Sequence, residues 1–167
     1  FAPAINTTPE ALEIVARSVE VAGYHLGDDV VLALDAAASE FYQDSGYDLR
    51  GEGRKLGTEG MVNMWAALCE EYPIVSVEDP LDEDDWQGFV DLTARIGHGV
   101  QVVGDDLFVT NSERLTKGIQ IKAGNAILVK VNQIGTLTET MKAISDAKQA
   151  GFGVVISHRS GETEDSF

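Results

Sequence analysis

The chain is poor in basic residues. Its 167 residues include 12 lysines and arginines against 28 aspartates and glutamates, which gives a formal net charge of −16. Because nucleic acids and anionic membrane surfaces are also negative, they repel such a chain at long range, and we expect neither as a partner. An anionic substrate would be repelled as well, unless bound cations reverse the field locally.

Cysteine and long apolar runs are also scarce. Cys69 is the single cysteine, so an internal disulfide is excluded, and its helical pattern MWAALCEEY predicts a buried, reduced thiol in a cytoplasmic protein. The chain has no apolar run of about 18 residues, so we expect no membrane span. The opening FAPAINTTPE lacks both an initiator methionine and the features of a signal peptide. We therefore expect a processed chain or a piece of a longer one.

What the sequence does contain is five apolar runs, each ending at a polar residue suited to chemistry. The runs are VVLALD, IVSVE, VQVVGD, AILVK and GVVISH, and they end at Asp35, Glu78, Asp105, Lys130 and His158. The ends lie 25 to 43 residues apart, roughly one strand–helix unit each. Near-continuous apolar runs that alternate with helical patterns predict parallel strands buried on both faces.

The pattern between these runs indicates the fold class. Helical periodicity covers 9–22, 58–71, part of 82–96, 112–122 and 135–150, and 40–55 resembles a short hairpin excursion. No GxGxxG follows the first strand, which disfavours an open nucleotide-binding sheet. A closed barrel needs eight strands, and we find five. The sequence therefore predicts an α/β fold, an incomplete TIM-type (β/α) barrel of about five strand–helix units.

Three carboxylates end adjacent predicted strands: Asp35, Glu78 and Asp105. Hard divalent cations such as Mg²⁺ bind carboxylate oxygens, so these acids predict a metal site at the mouth of the barrel. The alternative is that each acid caps the helix that follows it, which is a weaker explanation for all three together. Asp79 and Asp106 come directly afterwards, and we expect them to cap or to hydrogen-bond near the site.

Lys130 and the run SHRSG complete the predicted site. A lysine is costly to bury, so Lys130 is either functional, as a general base, or extends to solvent. Arg159 offers a fork for phosphate or carboxylate, with Ser160 and His158 beside it. The alternative for this run is an ordinary helix-entry loop with a hydrogen-bonded histidine.

Five longer strings resemble the enolase family: LALDAAASEFY, YPIVSVEDPLDEDDW, VVGDDLFVTN, ILVKVNQIGTLTET and VISHRSGETEDSF. Their order and spacing agree with the family over essentially the whole chain. The resemblance implies a lyase of glycolysis, a Mg²⁺-dependent phosphopyruvate hydratase that converts 2-phosphoglycerate to phosphoenolpyruvate. It also implies a cytoplasmic protein whose full-length parent is a homodimer.

The resemblance assigns roles to individual residues of this sequence. It implies Asp35, Glu78 and Asp105 as the Mg²⁺ ligands and Lys130 as the base that removes the C2 proton. It further implies that the substrate is contacted by Lys130, by the catalytic His158, and by Arg159 and Ser160, the last two at its phosphate.

The resemblance also predicts what the chain lacks. It places the family's general-acid glutamate, in the motif GDEGG, before Phe1, and a second substrate-binding lysine beyond Phe167. We therefore expect 1–167 to be a partial C-terminal barrel domain that is inactive in isolation. Two alternatives stay open. One is a related enzyme acting on a sugar acid or amino-acid derivative, which would not need a phosphate-binding SHRSG run, and the other is a non-catalytic binding or scaffold role.

Overall fold

A computed structural model describes residues 4–159 and shows alternating strands and helices. The helices are α1 (Thr8–Val21), α2 (Thr58–Glu71), α3 (Trp86–Ile96), α4 (Ser112–Ile121), α5 (Val131–Ile134) and α6 (Leu137–Gln149). The strands are β1 (Leu32–Asp35), β2 (Tyr42–Gln43), β3 (Gly46–Leu49), β4 (Arg54–Leu56), β5 (Ile74–Glu78), β6 (Gln101–Gly104), β7 (Ala126–Val129) and β8 (Gly153–Ile156). Among residues 4–159, no helix is both long and apolar enough to cross a membrane.

Five strands form one parallel sheet in the order β1-β5-β6-β7-β8. This order follows the chain without reversal, as in a singly wound α/β barrel and unlike a doubly wound nucleotide-binding sheet. At least one helix lies between each pair of neighbouring strands. The predicted fold class is confirmed. Within residues 4–159 the sheet does not close into a barrel, and β1 and β8 are its edges.

The predicted excursion at 40–55 is a separate antiparallel sheet, formed by β2, β3 and β4. Tyr47 of β3 is fully buried and anchors this sheet to the main fold. Its hydroxyl donates to Asp85 Oδ2 at 2.7 Å and accepts the backbone N–H of Asp82 at 3.0 Å. Thr58, at the start of α2, donates to the same Asp85 oxygen at 2.7 Å. One carboxylate thus joins the small sheet to the amino ends of α2 and α3.

Helices pack against the parallel sheet through large buried side chains. Trp65 of α2 is 3% exposed, and its indole N–H donates to the carbonyl oxygen of Pro80, just after β5, at 2.9 Å. Phe108 is fully buried between β6 and α4. A Cβ atom would come within 2.6 Å of its ring at Gly104 and within 2.4 Å at Gly118. Glycine at these two positions makes room for the ring.

The boundaries agree with the sequence patterns except near the site. The helix predicted at 58–71 is α2 without change. The apolar run AILVK predicts a strand over 126–131, whereas β7 ends at Val129. The backbone N–H of Lys130 bonds to the Thr110 hydroxyl at 3.0 Å, and Val131 begins the short helix α5. Lys130 therefore lies between a strand and a helix.

Candidate active site and metal centre

The carboxyl ends of the parallel strands place the predicted site residues along one edge of the sheet. Asp35 ends β1 and lies in register with Glu78, which ends β5. Asp105 follows β6 by one residue, and Lys130 follows β7 by one residue. His158 comes two residues after β8, the strand paired with β7.

Lys130 forms an ion pair with Asp105. Its Nζ lies 2.5 Å from Asp105 Oδ2, and the lysine and aspartate side chains are 18% and 11% exposed. Removing either partner from such a sheltered pair would leave an uncompensated charge, so each holds the other in place. The side chain of Lys130 therefore turns into the site and does not extend to solvent.

Glu78 lies in a strongly negative environment. Burial raises the pKa of its carboxyl group to about 7, and repulsion by Asp35, Asp105 and Asp79 adds to this, while Lys130 offsets it only partly. The carboxylates at this edge therefore carry more negative charge than the nearby lysine compensates. A divalent cation would remove this imbalance.

Asp79 supports the strand-end loop beside it. It is 4% exposed, and its two carboxylate oxygens accept the backbone N–H groups of Asp105 at 3.0 Å and Asp106 at 2.8 Å. Burial raises its pKa to about 7 even though both hydrogen bonds act in the opposite direction. The predicted hydrogen-bonding role of Asp79 is confirmed, and its backbone φ of +38° shows the tight turn that this role requires.

Within residues 4–159, one group of acids lies close enough together to hold a metal ion. Single ligand atoms of Asp79, Asp105 and Asp106 all lie within 4.8 Å of one another. This trio shares Asp105 with the predicted trio of Asp35, Glu78 and Asp105. Its members are carboxylates, which suit a hard cation better than the soft or borderline metals that select thiolate and imidazole. The residues present therefore fit a divalent cation at this edge of the sheet.

The three acids of the predicted metal site differ in their exposure to solvent. Asp35 is exposed, and its Oδ1 accepts the backbone N–H of Ala37 at 3.0 Å. This is a local turn contact and not a helix cap, because the short 3-10 helix that follows, Ala38–Phe41, has no side-chain cap hydrogen bond. Asp105 is buried at 8% exposure and Glu78 is partly buried. Repulsion by Asp35 and Asp105 helps to raise the pKa of Glu78, so the predicted trio shares one negative field, whereas the acids of residues 4–159 that lie within 4.8 Å of one another are Asp79, Asp105 and Asp106.

The predicted substrate contacts lie at the end of the described chain. His158 and Arg159 are both exposed and follow β8. Ser160 lies outside the described residues. The roles of these three residues remain predictions.

Two residues beside the site, Thr110 and Gln133, have contacts that the sequence does not predict. Thr110 is fully buried, and its hydroxyl accepts the Lys130 N–H at 3.0 Å and donates to Gln133 Oε1 at 2.8 Å. Gln133 Nε2 lies 3.4 Å from Asp105 Oδ1. From the sequence, Gln133 is expected only to be a loop residue that supports the strand end after Lys130. No local pattern marks Thr110, because its contacts span 20 residues or more.

A singly wound α/β sheet with clustered carboxylates and a paired lysine at its strand ends defines a barrel-type enzyme domain. The family model for the C-terminal TIM barrel domain of enolase matches residues 1–167, and the chain belongs to this family. Membership indicates a domain of the enolase superfamily, whose members catalyse varied reactions and typically use a divalent metal.

Proposed function

We propose that this chain forms part of the active site of an enolase, which reversibly dehydrates 2-phosphoglycerate to phosphoenolpyruvate in glycolysis. The observation that carries the proposal is the position of Lys130 Nζ, 2.5 Å from Asp105 Oδ2, among the acids that raise the pKa of Glu78. Removal of a proton next to a carboxylate needs a base and a cation close together, and these residues meet both needs.

Each residue has a defined part in this proposal. Asp35, Glu78 and Asp105 would hold Mg²⁺, which when bound stabilises negative charge on the substrate carboxylate. Lys130, in its neutral amine form, accepts the proton from C2 through its Nζ and becomes an ammonium group. The low solvent exposure of the Lys130 and Asp105 side chains limits the access of water to the transferred proton.

The loop after β8 would hold the substrate. His158 contacts the substrate near the reacting carbon, and Arg159 and Ser160 bind its phosphate. Arginine suits this task because its planar fork matches phosphate oxygens. The exposure of His158 and Arg159 leaves them accessible to a ligand from solution.

We further propose that residues 1–167 are part, and not the whole, of a barrel domain. The described residues supply five parallel strands, whereas a complete barrel has eight. The proposal includes a cytoplasmic location and a homodimeric parent, as the resemblance to enolase implies. The chain alone is then expected to bind Mg²⁺ without dehydrating 2-phosphoglycerate.

The test uses the protein produced from the complete reading frame, assayed for phosphoenolpyruvate formation by ultraviolet absorbance with and without Mg²⁺. We expect Mg²⁺-dependent activity that Lys130→Ala lowers by about 10²- to 10⁴-fold, the usual contribution of a general base. Lys142→Ala is the matched control, because Lys142 pairs with Asp146 on α6 and is 61% exposed. It should retain full activity.

A protein that turns over non-phosphorylated sugar acids but not 2-phosphoglycerate would contradict the proposed substrate. Equal activity of Lys130→Ala and the unmodified protein would contradict the proposed base. Calorimetry on the 167-residue chain tests the metal site separately, since Mg²⁺ binding should be lost in Asp105→Ala.

A further inference from the structure

Lys130 takes part in a closed ring of hydrogen bonds through both its backbone and its side chain. Its backbone N–H donates to Thr110 Oγ1 at 3.0 Å, and the Thr110 hydroxyl donates to Gln133 Oε1 at 2.8 Å. Gln133 Nε2 reaches Asp105 Oδ1 at 3.4 Å, and Asp105 Oδ2 accepts Lys130 Nζ at 2.5 Å. We call these four residues the Lys130 ring.

Thr110 is the residue on which the ring depends most. Its hydroxyl both accepts and donates, and the side chain is fully buried, so water cannot replace either bond. Val109 and Thr110 have φ angles of +45° and +55°, which β-branched residues rarely adopt. This unusual backbone directs the Thr110 hydroxyl towards the N–H of Lys130, where β7 has already ended.

Gln133 links the Thr110 hydroxyl to the carboxylate of Asp105. Because its Oε1 accepts from Thr110, its amide nitrogen faces Asp105. The two oxygens of Asp105 thus have different partners, the amide on one side and the ammonium group on the other. Rotation of either Asp105 or Lys130 would break at least one bond of the ring.

We propose that Thr110 and Gln133 are positioning residues that fix the Lys130 amine and the Asp105 carboxylate relative to each other. Their value for the reaction rests on the proposed function, in which Lys130 is the base and Asp105 a metal ligand. A base displaced by about 1 Å from its productive position loses about 10²-fold in rate, so a fixed geometry has a large effect.

The first test measures geometry without catalysis. Reductive methylation of lysines, followed by mass spectrometry, reports how accessible Lys130 Nζ is in the folded chain. Thr110→Val keeps the shape and removes the hydroxyl, and we expect several-fold faster labelling of Lys130 with unchanged labelling of Lys142. Thr110→Ser keeps the hydroxyl and should restore the original rate. Gln133→Met should resemble Thr110→Val.

The control for loss of a buried hydroxyl is Thr140→Val. Thr140 is 2% exposed, and its hydroxyl donates to the Thr136 carbonyl oxygen within α6, away from the Lys130 ring. This variant should leave the labelling of Lys130 unchanged. Circular dichroism establishes that each variant is folded, and Gln133→Met provides the comparison if Thr110→Val does not fold.

The second test measures 2-phosphoglycerate dehydration by the protein from the complete reading frame. We expect Thr110→Val and Gln133→Met to lower kcat by about 10- to 100-fold, the range for a displaced base, with KM changed much less. Thr110→Ser and Thr140→Val should retain kcat. A general loss of structure would not give this division between kcat and KM, nor rescue by serine.

The outcomes separate this inference from the proposed function. Altered labelling in a protein without any dehydratase activity would refute the proposed function and leave the Lys130 ring as a positioning device. Unchanged labelling in both Thr110→Val and Gln133→Met would overturn the inference, and so would an active enzyme whose kcat does not respond to these variants.

Discussion

Among single residues, Glu78 connects burial to cation binding most directly. Its pKa is raised to about 7, so it binds a proton below that pH and becomes a carboxylate above it. A metal ion bound by Glu78, as in the proposed function, must displace this proton, and metal affinity then increases with pH.

We expect the Kd for Mg²⁺ to fall as the pH rises through about 7, and to level off once Glu78 is ionised. Calorimetry in buffers of different protonation enthalpy should also detect proton release below that pH. Glu78→Gln should remove most of this pH dependence, with a remainder from Asp79, whose pKa is also raised to about 7. A Kd that is the same on both sides of neutral pH would contradict the prediction.

The sequence indicates some site residues and misses others for physical reasons. Glu78 and Lys130 are visible because each ends an apolar run, and the chemistry of a strand end is local in sequence. Thr110 is not visible, because its role depends on a left-handed backbone and on partners that only the folded chain brings near. Supporting residues of this kind are defined by the folded structure and not by a local sequence pattern.

At the scale of elements, the small antiparallel sheet depends on one phenol group. Burial, together with the nearby Asp85 carboxylate, raises the pKa of Tyr47 far above its usual range, so its hydroxyl remains a donor to Asp85. The same oxygen accepts the N–H of Asp82.

Tyr47→Phe should lower the free energy of unfolding by about 1–3 kcal/mol, because it leaves buried polar partners unsatisfied. Urea denaturation measures this change. Tyr42→Phe is the control, since Tyr42 is 38% exposed and its ring packs against Tyr47 in a tilted arrangement with ring centroids 4.8 Å apart. Equal stability of the two variants would refute the anchoring role of the Tyr47 hydroxyl.

The contact between β6 and α4 depends on glycine next to Phe108. In Gly118→Ala the new Cβ would lie 2.4 Å from the ring, and we expect a loss of about 1–3 kcal/mol in stability from overpacking. In Gly99→Ala, no heavy atom of residues 4–159 other than those of the chain neighbours lies within 4 Å of the new Cβ, and the variant should be nearly neutral in thermal denaturation. A neutral Gly118→Ala would mean that Phe108 can move aside.

Element positions follow well from sequence periodicity, and boundaries follow less well. The helix at 58–71 agrees with the structure because its buried face has a helical period, and the strand ending at Glu78 agrees because its apolar run stops at a charged residue. The strand ending at Val129 was predicted two residues too long, since a side-chain hydroxyl and not a strand neighbour binds the next N–H. The sequence predicts only a hairpin at 40–55, whereas the structure has a three-stranded sheet there. The third strand, β4, is not apparent from the sequence because it is short and mostly polar.

At the scale of the whole molecule, the excess of acids makes stability sensitive to cations. A net charge of −16 opposes compaction, and the strand-end carboxylates concentrate part of it. Ions that bind only the folded state stabilise it by mass action.

Mg²⁺ at ten times its Kd should raise the free energy of unfolding by about 1.4 kcal/mol, beyond the effect of NaCl at equal ionic strength. Thermal denaturation measures the difference. Asp105→Ala should lose the Mg²⁺-specific part and keep the general salt effect. Identical responses to the two salts in the unmodified protein would argue against a specific site.

The Trp65 indole provides an optical probe of the site. Its N–H donates to the carbonyl oxygen of Pro80, two residues after Glu78. The chain's other tryptophan is Trp86, whose ring centroid lies 3.7 Å from the Lys117 Nζ. The two indoles therefore emit from a sheltered and a charged environment. In a Trp86→Phe protein, the remaining tryptophan fluorescence comes from the side chain that bonds to the loop after β5, so a change in this loop on Mg²⁺ binding would alter the emission without an added label.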